Sequence, residues 1–259
     1  MSRTVFISGG TSGINLGIAR AFAARGDKVM VFGRDGGKSQ AAADLILAET
    51  GAKVMAGSAD VRDPAAIAAL FADATAQLGA PDVVIAGAAG NFMAPAVGIS
   101  PNGFKTVVDI DLLGTYNVFK AAYDVVRKPG ASLIAITAPQ AVQPLPQQVH
   151  VCAAKAGVNM VVKVLAMEWG KAGIRVNAIS PGPIAGTEGV ERMAPTDAEK
   201  AAWAERIAIK RMGTPQDVAQ AAIFLSSDAG SYITGTILDC DGGMKLGDAS
   251  GDYLTLPTR

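Results

Sequence analysis

The amino-acid sequence predicts an α/β protein in which helices cover both faces of a parallel sheet. Three observations support this fold class. Short apolar segments alternate with longer segments of helical periodicity, the first apolar segment ends in a glycine-rich turn, and no linker, repeat or low-complexity segment interrupts the alternation. The chain has 259 residues, of which 50% are hydrophobic, so a single domain with a large buried core is expected.

The apolar segments predict seven strands. They cover residues 5–7, 28–32, 53–56, 83–86, 132–137, 175–179 and 236–239. The intervening periodicity predicts a first helix from Gly13 and further helices at 37–49, 64–78, 101–126, 149–171 and 215–226. Strands joined by such helices form right-handed crossovers, so we expect a doubly wound seven-stranded parallel sheet, the Rossmann fold.

The charge balance argues against a polyanionic partner. The chain has 23 basic and 23 acidic residues, so no net basic field attracts nucleic acid or an acidic membrane surface. Cys152 and Cys240 are isolated, without a CxxC motif or a histidine cluster, which predicts neither disulfides nor a metal site. We therefore expect a small-molecule ligand.

Neither end of the chain resembles a targeting signal. The sequence MSRTVFIS leads directly into the first strand, and the C-terminal GDASGDYLTLPTR ends in no peroxisomal address. No apolar run approaches the roughly 20 residues that a membrane helix needs. These features predict a cytoplasmic protein that does not bind a membrane.

The glycine-rich turn at residues 8–13 predicts a phosphate-binding site. Gly9 and Gly13 lack side chains where the backbone approaches a ligand, and the free N–H groups of the following helix favour negative charge. A pyrophosphate meets this description. Glycines also occur in many strand-to-helix corners without a ligand, so the turn alone leaves both interpretations open.

The spacing of this turn resembles the TGxxxGxG motif of the short-chain dehydrogenase/reductase family. Ser8 replaces its Thr and Asn15 replaces its third Gly, a change that we expect the backbone to accept because Asn tolerates left-handed conformations. The resemblance covers nearly the whole chain and implies a nicotinamide dinucleotide. In the turn, the implied cofactor-binding residues are Gly9, Thr11, Ser12, Gly13 and Ile14.

The end of the second strand indicates which dinucleotide binds. The segment VFGRDGG places Arg34 where a cation accommodates the 2′-phosphate of NADP, and Arg offers a permanently charged planar donor group. We therefore favour NADPH. In the alternative, Arg34 is solvated and Asp35 holds the ribose of NAD.

Other motifs of the family follow along the chain. The resemblance implies that Asp60 and Val61 lie beside the adenine, although an Asp ending a strand is otherwise often a helix cap. In AGAAGNF (86–92), Ala86 and Gly87 replace the two Asn of the family's Asn-Asn-Ala-Gly run, and small residues including Ala88 allow the backbone to lie against the nicotinamide ribose. After the sixth strand, the implied nicotinamide-binding residues are Pro181, Gly182 and Ile184.

The usual proton-transfer residues of the family are missing. Its chemistry uses a Ser on the fifth strand, a Tyr on the next helix and a Lys one turn after the Tyr. Lys155 is present, but Ala138 and Val151 occupy the other two positions. Because neither side chain transfers a proton, ordinary interconversion of alcohols and ketones is disfavoured.

Five segments resemble the branch of NADPH-dependent 2,4-dienoyl-CoA reductases, most closely the peroxisomal type. They are AAGNF (88–92), FKTVVDID (104–111), QVHVCAAKAG (148–157), EWG (168–170) and PGPIAGTEG (181–189). This resemblance implies hydride transfer to a conjugated dienoyl thioester in fatty-acid β-oxidation. It implies that Asn91 donates to the thioester oxygen, that Lys155 holds the nicotinamide ribose, and that Asp111 delivers a proton together with Lys155.

Several alternatives stay open. Asp111 is either a functional group or half of a buried ion pair. His150 precedes the vacant Tyr position, and we expect it, with Phe92, to line the substrate site rather than to donate a proton. Two other hypotheses for the function are another NADP(H)-dependent reductase of carbonyls or enones with the same fold, and a non-catalytic nucleotide-binding sensor or scaffold.

A polar, Ala-rich segment at residues 187–212 is expected to form a helical lid over the substrate. Its apolar residues line an acyl tunnel or only pack the lid onto the body, and they are Val190, Met193, Trp203 and Ile207. The family resemblance also implies a homotetramer. Small residues around Lys155, including Ala153, Ala154 and Ala156, permit the close helix packing that such an assembly requires.

Overall fold

A computed structural model describes residues 2–251 and Leu254 of the chain. Its centre is a seven-stranded parallel sheet in the order β3-β2-β1-β4-β5-β6-β7. The strands are β1 (Thr4–Ser8), β2 (Lys28–Gly33), β3 (Val54–Ser58), β4 (Val83–Ala86), β5 (Ser132–Ile136), β6 (Arg175–Pro181) and β7 (Ile237–Cys240). The doubly wound architecture predicted from the sequence is confirmed.

Helices cover the two faces of this sheet. They are α1 (Gly13–Ala23), α2 (Gly36–Thr50), α3 (Pro64–Leu78), α4 (Pro101–Val108), α5 (Gly114–Val125), α6 (Val149–Trp169), α7 (Glu188–Met193), α8 (Asp197–Glu205) and α9 (Pro215–Ser226). Alternate residues of each central strand enter opposite cores. In β1, Phe6 packs in one core with Phe71 and Phe119, while Val5 and Ile7 pack in the other with Phe22.

The helices begin where local sequence signals place them. Asp35, Asp63 and Ser100 each accept a hydrogen bond from a backbone N–H of the first turn of the helix that follows. Thr196 and Thr214 form capping boxes with Glu199 and Asp217. These caps satisfy donors that a helix cannot satisfy itself, so helix starts are well predicted from sequence.

The helix predicted at residues 101–126 is divided in the structure. A π-helical turn, Asp109–Leu113, separates α4 from α5 and buries Asp111. The third strand also begins and ends later than the predicted 53–56, and the seventh is displaced by one residue from 236–239. Apolar periodicity locates an element but not a single-turn bulge within it.

One helix is long and apolar enough to cross a membrane when judged by length and composition alone. It comprises α6 and the following 3₁₀ turn, Val149–Ala172, with a mean hydropathy of 1.4 over its most apolar stretch. The expectation that no apolar run is this long is therefore wrong by that measure. Half of the stretch is buried inside the protein, however, as is typical of a core helix in an α/β fold.

The strand order reverses between β1 and β4, which are neighbours in the sheet although residues 9–82 separate them in the chain. Chains that leave these two strands turn to opposite faces of the sheet, and a crevice opens at their carboxyl ends. Ligands of open parallel sheets bind in such a crevice.

Candidate active site

A cavity of about 1170 Å³ occupies the crevice at the carboxyl ends of the strands. Most of the residues that the sequence predicts for the cofactor and catalytic sites line it. These are Gly9, Thr11, Ser12, Gly13, Ile14, Arg34, Asp60, Val61, Ala88, Asn91, Asp111, Lys155, Pro181, Gly182 and Ile184. Tertiary folding thus brings together residues from segments that lie up to about 175 positions apart.

The glycine-rich turn presents uncapped backbone donors to this cavity. Gly9 and Gly13 have φ angles of 67° and 54°, which favour glycine. Ser12 is the N-cap of α1, but its side chain makes no capping hydrogen bond, and the first turn contains no acidic residue. A pyrophosphate is suited to this end of the helix, because an anion would satisfy N–H groups that no protein side chain satisfies.

Asn15 is accommodated differently from the sequence-based expectation. It lies within α1, and the only described non-glycine residues with positive φ are Gln147 and Lys210, so no left-handed backbone is involved. Its side chain is buried, and Nδ2 donates a hydrogen bond of 2.8 Å to the main-chain oxygen of Gly87. The substitution of Asn for the third Gly therefore creates a contact between α1 and the end of β4.

Two cations and two carboxylates lie where the cavity passes the end of β2. Arg34 and Lys38 both line the cavity and are exposed. Asp35 is the N-cap of α2 and accepts a hydrogen bond of 3.1 Å from Lys38 N. Asp60 is paired with Arg62 at 2.6 Å, and this hydrogen bonding lowers the pKa of Asp60 despite its partial burial.

Sequence reasoning missed Lys38. It stands four residues after Arg34, in the first turn of α2, where the backbone brings it to the same wall of the cavity. Asp60 and Val61 line the cavity, although β3 ends at Ser58, two residues before Asp60.

A buried ion pair lies at the centre of the site. Lys155 Nζ lies 3.1 Å from Asp111 Oδ2, and both side chains are almost completely buried. Asp111 Oδ1 accepts a hydrogen bond of 2.6 Å from Gly90 N, and Lys155 Nζ donates one of 3.1 Å to the Ile136 carbonyl oxygen. Asp111 is therefore half of a buried ion pair, and this pair also lines the cavity, where a functional group would have to lie.

The ion pair is a close contact of charges without an aligned hydrogen bond. Among the described residues, Asp111 Oδ2 has no hydrogen-bond partner. The ammonium group of Lys155 has three N–H donors, of which one is directed at the Ile136 oxygen. Both members of the pair therefore retain hydrogen-bonding capacity beside the cavity.

Ala138 and Val151 face the same cavity as this pair. At these two positions, the cavity wall that carries Lys155 has apolar side chains where the family usually has the Ser and Tyr hydroxyl groups. The neighbouring hydroxyl of Thr137 is buried and donates a 2.8 Å hydrogen bond to Asn159 Oδ1. It is therefore engaged within the protein.

The loop after β4 places Asn91 at the cavity but turns Phe92 away from it. Asn91 is exposed and lines the cavity, whereas Phe92 and His150 do not line it. His150 is fully buried, and its ring lies 4.3 Å from that of Phe92, centroid to centroid. The expected direct contact of Phe92 and His150 with a substrate therefore differs from their positions in this structure.

His150 occupies an apolar setting. Neither ring nitrogen has an aligned hydrogen-bond partner among the described residues. Burial lowers the pKa of His150 below its usual 6.5, although the Phe92 main chain and the Asp111 carboxylate favour protonation. A neutral imidazole that packs against Phe92 is thus favoured at neutral pH.

The segment predicted as a lid forms α7 and α8 over the cavity. Val190, Met193 and Trp203 line the cavity, whereas Ile207 is buried beneath Gly242. Lys200 and Glu191 join α7 to α8 through an ion pair of 2.7 Å. Arg192 connects α7 to the loop after β4 through a 3.3 Å hydrogen bond to the Asn91 main-chain oxygen.

No group of three or more His, Cys, Asp or Glu side chains that could hold a metal ion was found in the described residues. The cavity is lined by main-chain N–H groups of the glycine-rich turn, by two cationic side chains at one end and by one buried ion pair. This donor set suits a phosphorylated organic cofactor.

Comparisons with known proteins agree with this geometry. A family model described as enoyl-(acyl carrier protein) reductase matches residues 9–245. The chain is 39% identical to the peroxisomal 2,4-dienoyl-CoA reductase, (3E)-enoyl-CoA-producing, of Danio rerio over 96% of this chain and 83% of the relative. It is 37% identical to a protein of Bacillus subtilis named probable 2,4-dienoyl-CoA reductase, (2E)-enoyl-CoA-producing, over 94% of this chain and 97% of the relative.

A solved structure of an oxidoreductase is also similar to this chain. It is the NADPH-bound structure of a short chain oxidoreductase from Pseudomonas aeruginosa PAO1 described as containing an atypical catalytic center. The TM-score is 0.87 at 26% sequence identity, and the match covers 93% of this chain and 96% of the other.

The burial of His150 predicts a pH-dependent stability. In the unfolded chain the imidazole protonates near pH 6.5, whereas in the folded protein its pKa is lower, so stability decreases as the pH falls below about 6.5. The contribution is at most about 1.4 kcal/mol for each pH unit. When the pH is lowered from 7.5 to 5.5, we expect the melting temperature of His150→Phe to fall less than that of the wild type, because the variant has no imidazole to protonate. Equal decreases in melting temperature, measured by differential scanning fluorimetry, would contradict the lowered pKa of His150.

Proposed function

The chain belongs to the short-chain dehydrogenase/reductase family, and on this premise we propose that it reduces 2,4-dienoyl-CoA thioesters with NADPH. The family membership rests on the model match over residues 9–245 and on identities of 39% and 37% to relatives that are covered over 83% and 97% of their lengths. The named activity of those relatives and the geometry of this cavity support the same reaction.

One observation carries the proposal. The buried pair of Asp111 and Lys155 lies beside the cavity on the wall where Ala138 and Val151 replace the family's hydroxyl groups. Reduction of a ketone needs an acid aimed at the carbonyl oxygen, which Tyr normally supplies. Reduction of a conjugated diene instead needs a proton at carbon, so a site without Tyr is consistent with a dienoyl substrate.

A bound NADPH would supply a hydride at the δ carbon of the dienoyl group. The residues that would hold it are the uncapped N–H groups of the turn at Gly9–Gly13, the cations Arg34 and Lys38, and Lys155 beside the ribose. Hydride addition places negative charge on the thioester oxygen. Asn91 is suited to donate to that oxygen because it lines the cavity and is exposed there.

The second half of the reaction is the protonation of a diene carbon. Lys155 presents N–H protons at the cavity wall, and the Asp111 carboxylate lies 3.1 Å from its ammonium nitrogen. The proton passes from Lys155, directly or through water, to the carbon of the dienolate. Solvent then restores the proton on Lys155, so that one hydride and one proton saturate one double bond.

The cavity also suits an acyl chain. Val190 and Met193 of α7 and Trp203 of α8 are apolar residues that line the same cavity as the ion pair. Arg206 lies at the same cavity and is paired with Asp248 at 2.8 Å. An acyl group against the apolar wall, with an anionic CoA group near Arg206, satisfies both kinds of surface.

We further propose that the chain forms a homotetramer through α5 and α6. Large apolar side chains remain exposed on these helices, among them Met160 at 58% and Met167 at 85%. Light scattering in solution tests this assembly, and a monomer would contradict it.

The expected cytoplasmic location stays a prediction, since the name of the Danio rerio relative places that protein in the peroxisome.

The reaction is tested by following NADPH absorbance with trans-2,4-dienoyl-CoA and, in parallel, with a 3-ketoacyl-CoA of equal chain length. We expect oxidation of NADPH only with the dienoyl thioester. Chromatography of the product distinguishes a 2-enoyl from a 3-enoyl thioester, a point on which the names of the relatives differ. Turnover of the ketoacyl thioester, or of neither substrate at any chain length, would refute the proposal.

The role of the ion pair is tested with Asp111→Asn. The amide preserves the shape of the side chain but removes the charge that stabilises the Lys155 ammonium group. We expect kcat to fall by about 100-fold, within the range of a general acid–base contribution, with little change in KM for NADPH.

Asp109→Asn provides the matched control for this variant. Asp109 lies in the same π-helical turn but pairs with the exposed Lys105. We expect its kcat to remain within about twofold of the wild type, because an exposed ion pair contributes little. An Asp111→Asn variant with full kcat, or an equal loss in the control, would exclude the proposed role of the charge.

The preference for NADPH is tested with Arg34→Ser and Lys38→Ser. Each cation is expected to contribute a charge-assisted interaction with the 2′-phosphate, so each loss should raise the dissociation constant of NADPH by about tenfold and leave that of NADH unchanged. Arg20→Ser is the control, since Arg20 pairs with Glu49 outside the cavity. Equal effects on NADPH and NADH would contradict the assignment.

A further inference from the structure

The glycine-rich turn after β1 is tied to the exit of β4 by a set of close contacts. Ser8 Oγ accepts hydrogen bonds from Gly87 N at 3.0 Å and from Ala88 N at 3.3 Å. A Cβ at Gly9 would lie 2.9 Å from Ala88 Cα, so the two backbones touch. Asn15 adds its 2.8 Å hydrogen bond from Nδ2 to the Gly87 oxygen. The segment that receives phosphate and the segment beside the ribose therefore form one unit.

Asn15 and Gly87 are complementary in size. A Cβ at Gly87 would lie 2.3 Å from Asn15 Oδ1 and 2.4 Å from Nδ2, far inside contact distance. Gly87 is not among the glycines with positive φ, so its backbone conformation does not itself require glycine. The side chain of Asn15 occupies the space that any other residue at position 87 would need.

The usual motif of the family has the opposite distribution of side chains, with Gly at the position of Asn15 and Asn at the position of Gly87. Here the amide comes from the helix, and the residue without a side chain lies directly after the end of β4. We propose that Asn15 and Gly87 are an exchanged pair, in which Asn15 acts as a positioning residue that aligns the phosphate-binding turn with the β4 exit and thereby sets cofactor affinity.

The location and the cost of the Asn15 side chain support this role. Asn15 and Gly87 both line the cavity, next to the uncapped first turn of α1. Asn15 Oδ1 is buried and has no hydrogen-bond partner among the described residues, which reduces what the side chain contributes to folding alone. The Asn15 side chain thus has an unpaired amide oxygen, while its amide nitrogen connects the turn to Gly87. Alignment of these two segments explains this arrangement better than a contribution to folding stability.

This inference rests on the nicotinamide cofactor of the proposed function but not on the identity of the thioester. It is tested by measuring the dissociation constant of NADPH by fluorescence titration, together with the melting temperature of the ligand-free protein. The variants are Asn15→Ala, Asn15→Gly, Gly87→Asn and the double variant Asn15→Gly with Gly87→Asn. Asn15→Ala removes the amide without adding a glycine to the helix.

We expect Asn15→Ala and Asn15→Gly to raise the dissociation constant by about five- to tenfold, the usual effect of one lost hydrogen bond, with a small change in melting temperature. Gly87→Asn alone should bind worse and melt lower, because its side chain collides with Asn15. The double variant should bind NADPH within about threefold of the wild type, since one interaction energy links the two positions.

Three outcomes would overturn the inference. They are a double variant no better than Gly87→Asn, additive effects of the two substitutions, and an Asn15→Ala variant that melts lower but binds NADPH as tightly as the wild type. Failure of the proposed reaction has a different signature, namely wild-type binding of NADPH without turnover of any dienoyl thioester. A wild-type protein that binds no nicotinamide nucleotide would refute both proposals.

Discussion

The burial of the Asp111 carboxylate beside the Lys155 ammonium group is the constraint on which the site depends. Neither charge is stable alone in an apolar interior, so the elements that carry them must approach each other closely. Asp111 lies in the π-helical turn between α4 and α5, and Lys155 lies two turns inside α6. Their 3.1 Å contact therefore fixes how these helices pack, and Gly90, which donates to Asp111, fixes the loop that carries Asn91.

The same constraint links stability to chemistry. An ion pair that only stabilised the core would be equally well replaced by apolar residues of similar volume. Here the pair borders a cavity, and one carboxylate oxygen has no aligned hydrogen bond in the described part of the chain. Ala138 and Val151 line the same cavity in place of the usual hydroxyl groups, so the proposed diene reduction would draw its proton from this pair or from water.

The cofactor end of the cavity follows a separate principle. There the protein provides backbone N–H groups, two exposed cations and closely packed glycines. The turn after β1 contacts the exit of β4 through the backbone at Gly9 and through the Asn15 side chain. β1 and β4 are neighbours in the sheet, so their carboxyl ends lie side by side. The contact between the two segments that follow them is possible for this reason.

The sequence by itself determined the alternating fold, the glycine-rich turn after the first strand, the cavity residues named by the family motifs and the vacancy at Ala138 and Val151, because these depend on local periodicity, glycine geometry and residue spacing. Only the tertiary structure decided the pairing of Asn15 with Gly87 and the position of Lys38 beside Arg34. It also decided the burial of His150 behind Phe92 and away from the cavity. Each depends on side-chain directions and on packing between separate segments, which neither hydrophobic periodicity nor a motif records.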